Sequence, residues 1–395
     1  MGLQINIRNI AFSMNDRQTN MKSISFTGYY GMKNFGDDLF GMVCGWGAAE
    51  YWTRVNSSIL SPPILGVNNI FSVPAWFSQD LYASPRYYGK ASRLFFALRE
   101  TKRCNEIILG GGSVLGSTQS GVRDFINKIA VNSGLEFSGI GISIGPFPST
   151  EVETKVREFL KRFQYLSVRD ISSYQMAIDF ELSCPVVMAG DLAGLMPLIL
   201  PSYKKVIENK TNIGIALCNY ESIIGGNLDD EKIRNKAILD GLVKVAKQNE
   251  TRVEVFILNN HPQFGDDKLA REIMTRLQDE NIECGVSRNI DLGVEEIWKQ
   301  ISQCDAFVSV RLHGAIAAYL NDVPFALIEY HKKCTDFLDD IGQEKDNRLG
   351  RRINSSDRVA VVIQRLLASP KLPRFSTKEY GLRAIKHFTE APWAS

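Results

Sequence analysis

The sequence predicts an α/β protein: two Rossmann-like domains facing across a cleft. Three observations carry this. The chain has 395 residues, more than one compact core supports, so two domains are expected. Both halves alternate short apolar, β-branched runs with segments of helical periodicity, the pattern of a parallel sheet covered on both faces. Between the halves runs Leu195-Met196-Pro197-Leu198-Ile199-Leu200-Pro201-Ser202-Tyr203-Lys204-Lys205, whose two prolines and polar exit mark a linker.

The first domain is expected over 22–195, with strands Ile24–Thr27, Glu106–Leu109, Ser138–Ile144, Tyr165–Val168 and Val186–Ala189. Its helices are predicted over Asp37–Tyr51, Ser120–Ser133, Glu151–Phe163 and Ser172–Phe180. The second domain, 206–368, repeats the alternation with strands near Ile213–Leu217, Val253–Leu258, Glu283–Val286, Ala306–Val310 and Phe325–Ile328. Helices follow near Asp230–Gln248, Asp266–Glu280, Val294–Ser302, Gly314–Leu320 and Ser356–Ala368. The tail 369–395 carries Phe375, Tyr380, Phe388 and Trp393; it is too aromatic for a free linker and should pack back across the junction. Met1–Asn20 is polar and reads as a frayed extension.

Composition excludes several classes. Hydrophobic content of 44% with 23% charged residues is that of a soluble globular protein. The formal net charge of +2 gives no global field for nucleic acid, so anion binding must come from local cation placement. Seven cysteines are scattered without a Cys-x-x-Cys pair, which suits reduced core thiols. The four histidines lie far apart in sequence, so no metal-ligand cluster is legible. Met1–Asn20 lacks the apolar run of a secretory signal, and no stretch of roughly 18 apolar residues occurs that would span a bilayer. Leu39–Ala49 comes nearest, and its Gly41-x-x-x-Gly45 spacing suggests close helix packing in a soluble core. The chain is expected to work inside the cell.

The richest segment runs from Ala306 to Lys333. A buried strand ends in Arg311-Leu312-His313-Gly314, and Gly314 opens a helical run; a second strand, Phe325–Ile328, delivers Lys333 to the same rim. Open α/β sheets place their ligands at such carboxyl ends. Arg311 reads either as a surface salt-bridge partner or as a clamp, and His313 either as a turn histidine or as a functional one. Converging cations without nearby acids favour an anionic ligand.

Other strand ends on this rim carry glycine turns. Gly28-Tyr29-Tyr30-Gly31-Met32-Lys33-Asn34-Phe35-Gly36-Asp37-Asp38 follows the first strand. Asp37 or Asp38 is expected to cap the next helix, or else to orient or deprotonate an acceptor hydroxyl. As a phosphate loop the segment fails, lacking the Gly-Lys-Ser/Thr ending. Gly110-Gly111-Gly112 is either a tight turn or a set of backbone donors facing a ligand. Leu166-Ser167-Val168-Arg169-Asp170 offers a salt bridge with a capping Asp170, or Arg169 as a bidentate clamp.

Together these pieces resemble the polysaccharide pyruvyl transferase family, over roughly residues 22 to 345. The resemblance rests on the Gly-Tyr-Tyr-Gly-x-x-Asn-x-Gly-Asp-Asp opening, the Leu-Gly-Gly-Gly turn, Ser-Val-Arg-Asp, and the Gly-Asp near 190. Arg-Leu-His-Gly and Tyr-x-x-Lys, followed by Phe337 and Gly342, complete it. Many members have Asp-Glu where this chain has Asp37-Asp38. The resemblance implies an architecture similar to the two-domain glycosyltransferase B fold. It implies transfer of pyruvate from phosphoenolpyruvate to two hydroxyls of a sugar, forming a cyclic ketal and releasing phosphate. On it, Arg169, Arg311 and Lys333 hold the donor and His313 is the acid–base; Asn34, Asp37, Asp38, Gly110, Gly111 and Gly112, in first-domain glycine turns opposite the cationic cluster, are expected on the acceptor side or as loop residues. No cofactor is implied beyond phosphoenolpyruvate as co-substrate. The resemblance implies a sugar acceptor as partner, in a polysaccharide or its lipid-linked oligosaccharide precursor, with work in the cytoplasm or at the inner face of the membrane and peripheral association through a lipid-linked acceptor.

The chemistry fits the residue types. Phosphoenolpyruvate carries a carboxylate and a phosphate, both suited to arginine forks. Its enol carbon must be protonated, which a histidine of near-neutral pKa can do. Two alternatives stand: a nucleotide-sugar glycosyltransferase of the same architecture, for which no Glu-rich ribose motif is visible, and a non-catalytic sugar-binding relative.

Overall fold

The computed structural model describes residues 21–115, 134–206, 209–248 and 250–394. The helix expected over Ser120–Ser133 and the polar stretch Met1–Asn20 lie outside the described residues.

The first sheet is built from β1 (Lys22–Thr27), β2 (Val55–Ile59), β3 (Glu106–Leu115), β4 (Glu136–Ile144), β5 (Phe163–Val168) and β6 (Val186–Met188). Their order is β2-β1-β3-β4-β5-β6. The second sheet uses β7 (Thr211–Ala216), β8 (Thr251–Ile257), β9 (Glu283–Arg288), β10 (Ala306–Ser309), β11 (Phe325–Glu329) and β12 (Arg348–Gly350), ordered β12-β11-β10-β7-β8-β9. Neighbouring strands are parallel in both sheets. Helices cover both faces, so inner strands are apolar without alternation: all four residues of β10 are buried. Each sheet changes its direction of growth once, between β1 and β3 and between β7 and β10. Such reversals open a crevice at the strands' carboxyl ends.

Those crevices are stitched together by backbone. Phe35 N–H donates to the Leu258 carbonyl at 2.8 Å, and Asn260 N–H to the Lys33 carbonyl at 2.9 Å. Asn34 and Asn259 form an isolated antiparallel bridge there. The loop after β1 and the loop after β8 thus form one floor.

The aromatic tail touches both halves. Trp393 packs on Trp52 with ring centroids 4.5 Å apart, and buried His387 bridges Ser167 Oγ and the Gly190 carbonyl, each at 2.8 Å. Tyr380 meets Tyr319 edge-on at 5.5 Å and accepts from Asp191 N–H at 3.3 Å.

Several expectations are corrected. β3 does not stop at Leu109 but runs through the glycine triplet to Leu115, with a register shift after Gly112. The strand Val55–Ile59 and the helices Gln79–Ala83, Tyr87–Glu100 and Lys332–Asp340 have no counterpart in the sequence reading. Gly41 and Gly45 do not face a helix: a Cβ there would meet the Tyr30 ring and the Asn69 side chain. It is Gly47 that admits the tail, with Phe388 against it. All seven cysteines are free, and no helix among the described residues is long and apolar enough to cross a membrane.

Candidate active site

One cleft of about 260 Å³ lies over the floor where the two sheets meet. It is lined by Asn34, Asp37, Gly112, Arg169, Arg311, His313 and Lys333 among others. The fold brings these together because each follows a strand's carboxyl end. Arg169 follows β5, Arg311 is the N-cap of the helix Leu312–Leu320 after β10, and Lys333 lies in the first turn of the helix after β11. His313 is not in a turn, as expected from the sequence, but already in the first helical turn, since the helix starts at Leu312 rather than Gly314.

Acids accompany the cations, contrary to the sequence reading. Arg311 donates from Nε and Nη2 to Asp266, at 2.9 and 2.5 Å. Asp266 is buried at the start of the helix Asp267–Asp279, yet its carboxylate caps nothing there. Arg169 donates to Ser143 Oγ at 2.5 Å, Ser113 Oγ at 3.2 Å and Asp191 at 3.2 Å. Asp170 caps the helix Ile171–Asp179 through Ser173 N–H and lies 3.9 Å from Arg169. Asp170 thus caps its helix and sits beside Arg169, as the salt-bridge reading expects, and Arg169 also lines the cleft. The purpose of these pairs is rigidity: a guanidinium held by its own carboxylate presents its remaining edge at a fixed angle. Lys333 differs, because its ammonium forms no ion pair among the described residues. It stands 5.9 Å over the Tyr330 ring, and burial with Arg169 and Arg311 nearby pulls its pKa down.

Asp37 and Asp38 separate. Neither caps the helix Phe35–Tyr51; Asn34 does, accepting from Gly36 N–H at 3.2 Å. Asp38 is buried and accepts from Gly31 N–H at 2.8 Å and from Asn289 Nδ2 at 3.4 Å. It braces the glycine loop and does not line the cleft. Asp37 does line it, with no hydrogen bond from its carboxylate among the described residues. Burial pushes its pKa up to about 7, against the opposing pull of Lys333, Arg169 and Arg311.

His313 is pressed between the two halves. Phe40 meets it edge-on at 4.8 Å, and a Cβ added to Gly36 would fall 1.9 Å from its Nδ1. Its buried Nε2 has no hydrogen-bond partner among the described residues and lies 3.9 Å from Asp191. Desolvation lowers its pKa to about 4 despite Asp191, so the ring is neutral at physiological pH, not near-neutral in pKa as the sequence suggested. His331 is likewise lowered to about 4 by burial and Lys333, and its Nδ1 accepts from Lys333 N–H.

The glycine triplet serves packing. Tyr30 Oη donates to the Gly110 carbonyl at 2.5 Å, and Gly111, at φ +72°, leaves room for Phe40, which a Cβ would strike at 2.5 Å. Gly112 alone faces the cleft, next to Asp37. The sequence reading missed Asp191 and Asp266 as site groups, along with Ser113 and Ser143. Their only local signal is position after a strand or before a helix. An adjoining cavity of about 280 Å³ shares Arg169 and Lys333 and holds Asp336, Asp339 and Asp340. Those three carboxylates are already paired with Lys332, Arg348 and Arg383, so the unspent charge lies in the cationic cleft.

A family model described as polysaccharide pyruvyl transferase matches residues 34–332. No curated protein matches the chain in sequence. Among solved structures, the S. aureus MnaA–UDP co-structure is similar at 8% identity, covering 93% of this chain and 96% of that one with a TM-score of 0.59. UDP-GlcNAc 2-epimerase from Methanocaldococcus jannaschii is similar at 11% identity, over 94% of this chain and 99% of that one, with a TM-score of 0.57. The Neisseria meningitidis UDP-GlcNAc 2-epimerase bound to UDP-GlcNAc gives 9% identity, 94% and 100% coverage, and a TM-score of 0.56. At such identities the likeness concerns the fold alone: two six-stranded parallel sheets in the glycosyltransferase B arrangement.

Proposed function

Because the chain belongs to the polysaccharide pyruvyl transferase family, we propose that it moves pyruvate from phosphoenolpyruvate to two hydroxyls of one sugar. The acceptor is a polysaccharide or its lipid-linked precursor, a cyclic ketal forms, and phosphate leaves. The observation that supports this most is the single cleft that sets Lys333, Arg169 and Arg311 around a protonatable Asp37 and a neutral His313.

On this reading the three cations take the donor's carboxylate and phosphate. Lys333, without an ion pair of its own among the described residues, faces the phosphate; the braced guanidinium groups fix the orientation. The enol carbon then takes a proton. Of the cleft's carboxyl and imidazole groups, Asp37, raised to about 7, is the one that holds a proton near neutrality, so Asp37 is assigned as its donor and His313 as the base that accepts the first sugar hydroxyl's proton. The hydroxyl oxygen bonds to the adjacent carbon, and the second hydroxyl bonds there as the carbon–oxygen bond to phosphate breaks. The methyl group thus keeps the Asp37 proton, the first hydroxyl's proton passes from His313 back to Asp37 through solvent to restore both groups, and the second hydroxyl's proton leaves with phosphate. Protonated His313 gains the carboxylate of Asp191, 3.9 Å from Nε2.

Calorimetric titration with phosphoenolpyruvate tests the donor half. Arg169→Ala, Arg311→Ala and Lys333→Ala should each weaken binding on the order of 10- to 100-fold, the loss of one charge-assisted contact. His313→Ala should bind the donor but lose roughly 10²–10⁴-fold in turnover. Unchanged donor affinity in all three cation variants would remove phosphoenolpyruvate from this cleft.

A further inference from the structure

The segment between β2 and β3 turns aromatic rings outward. Trp76 is 81% exposed, Tyr87 85%, Phe95 62% and Tyr88 47%. Trp76 and Phe95 belong to one run of rings, with centroid distances of 6.0 Å for Trp76–Phe77, 5.0 Å for Phe77–Phe96 and 5.2 Å for Phe96–Phe95, and Tyr87 and Tyr88 open the helix that carries Phe95. On the helix Tyr87–Glu100, Tyr88, Ala91, Phe95 and Leu98 recur at helical spacing on one face, while Gly89, Phe96 and Ala97 face inward.

Charge surrounds these rings. Residues 86–103 hold six basic side chains (Arg86, Lys90, Arg93, Arg99, Lys102, Arg103) and one acidic, Glu100, a balance of six minus one within a chain whose net charge is +2. Glu100 is buried, and Arg93 turns inward to the Tyr82 and Ser84 carbonyls. Arg86, Lys90, Lys102 and Arg103 make no ion pair among the described residues. A protein partner's interface core is depleted in lysine, whereas Trp and Tyr rings rimmed by unpaired Lys and Arg suit the headgroup layer of an anionic bilayer.

The surface is anchored to the cleft. Its inner rings form one buried cluster with Met32 of the glycine loop. Gln79 Nε2 donates to the Gly31 carbonyl at 3.4 Å, and Lys33 is paired with Asp80. That loop carries Asn34 and Asp37.

We propose that Trp76, Tyr87, Tyr88 and Phe95, with Arg86, Lys90, Lys102 and Arg103, dock the protein on an anionic lipid surface beside the cleft. The use of this docking, to meet a lipid-linked acceptor in the headgroup plane, rests on the function proposed above; the docking itself does not.

Sedimentation of the full chain with phosphatidylcholine vesicles, with and without phosphatidylglycerol, tests it. Partitioning should require phosphatidylglycerol and weaken with salt. Lys90→Glu with Lys102→Glu should lower it by more than about tenfold, as should Trp76→Ser with Phe95→Ser. Both double variants should keep wild-type thermal unfolding and wild-type phosphoenolpyruvate binding. Wild-type protein that ignores anionic vesicles, or variants that bind them equally well, would overturn the proposal. So would sedimentation velocity showing that the same substitutions abolish a dimer while vesicles go unbound. A failure of pyruvate transfer with vesicle binding intact would instead count against the function alone.

Discussion

Asp37 and Asp38 are neighbours with opposite duties. Asp38 is a brace, so Asp38→Ala should strand the buried Gly31 N–H and cost about 1–3 kcal/mol, seen as a lower unfolding midpoint. Asp37→Asn should keep the fold, lose ketal formation, and bind phosphoenolpyruvate at least as tightly, because a carboxylate has left a cationic cleft. Equal stability loss in both variants would mean that the two aspartates do one job. The pH profile separates them further. The Asp37 pKa is raised to about 7, so its acid form, the proposed proton donor, is present below that value and lost as pH rises through it. His313, lowered to about 4, stays neutral across that range and limits only the acid side. Donor-limited turnover should therefore fall above neutrality in the wild type, and whatever residual turnover Asp37→Asn retains should lack that limb. Asp266→Ala tests the guanidinium brace: Arg311 would lose its fixed angle, and donor affinity should drop roughly tenfold.

At the scale of elements, the helices Phe35–Tyr51 and Leu312–Leu320 meet through Gly36 and His313. Gly36→Ala would push a methyl into the imidazole, so it should cripple turnover while a Gly112 variant perturbs Asp37 instead. Circular dichroism with steady-state kinetics on Gly36→Ala would show it, and normal turnover would mean that His313 need not sit where it does. These contacts also explain what the sequence could and could not say. Arg169, Arg311, His313 and Lys333 were legible because each follows an apolar run whose strand assignment is local. The acids that hold them were not: Asp266 comes from a loop 45 positions away from Arg311, with no local mark. Adjacent Asp37 and Asp38 were indistinguishable because the helix start is set by Asn34, bridged to Asn259 in the other half. Gly110–Gly112 read as a turn because glycine permits one; the reason for it is the bulk of Tyr30 and Phe40 arriving from elsewhere. Val55–Ile59, with Asn56, Ser57 and Ser58 at its centre, shows no apolar alternation, being an edge strand.

Across the whole molecule, two sheets and a tail hold one cleft in register. The tail's Trp393 lies among Trp52, Tyr165 and Lys22, so Trp393→Ala should cost about 3–5 kcal/mol in chemical denaturation. A loss under about 1 kcal/mol would mark the tail as peripheral packing. The fold itself hosts nucleotide-sugar chemistry in its structural neighbours, so the reaction must be argued from the cleft's charges. The most direct measurement incubates the protein with phosphoenolpyruvate and a hexose glycan, following phosphate release and acceptor mass together. Phosphate should appear only with acceptor present, matched mole for mole by a pyruvate ketal on the glycan, and neither should form with His313→Ala. Nucleotide released from a nucleotide sugar while phosphoenolpyruvate remains intact would contradict the account.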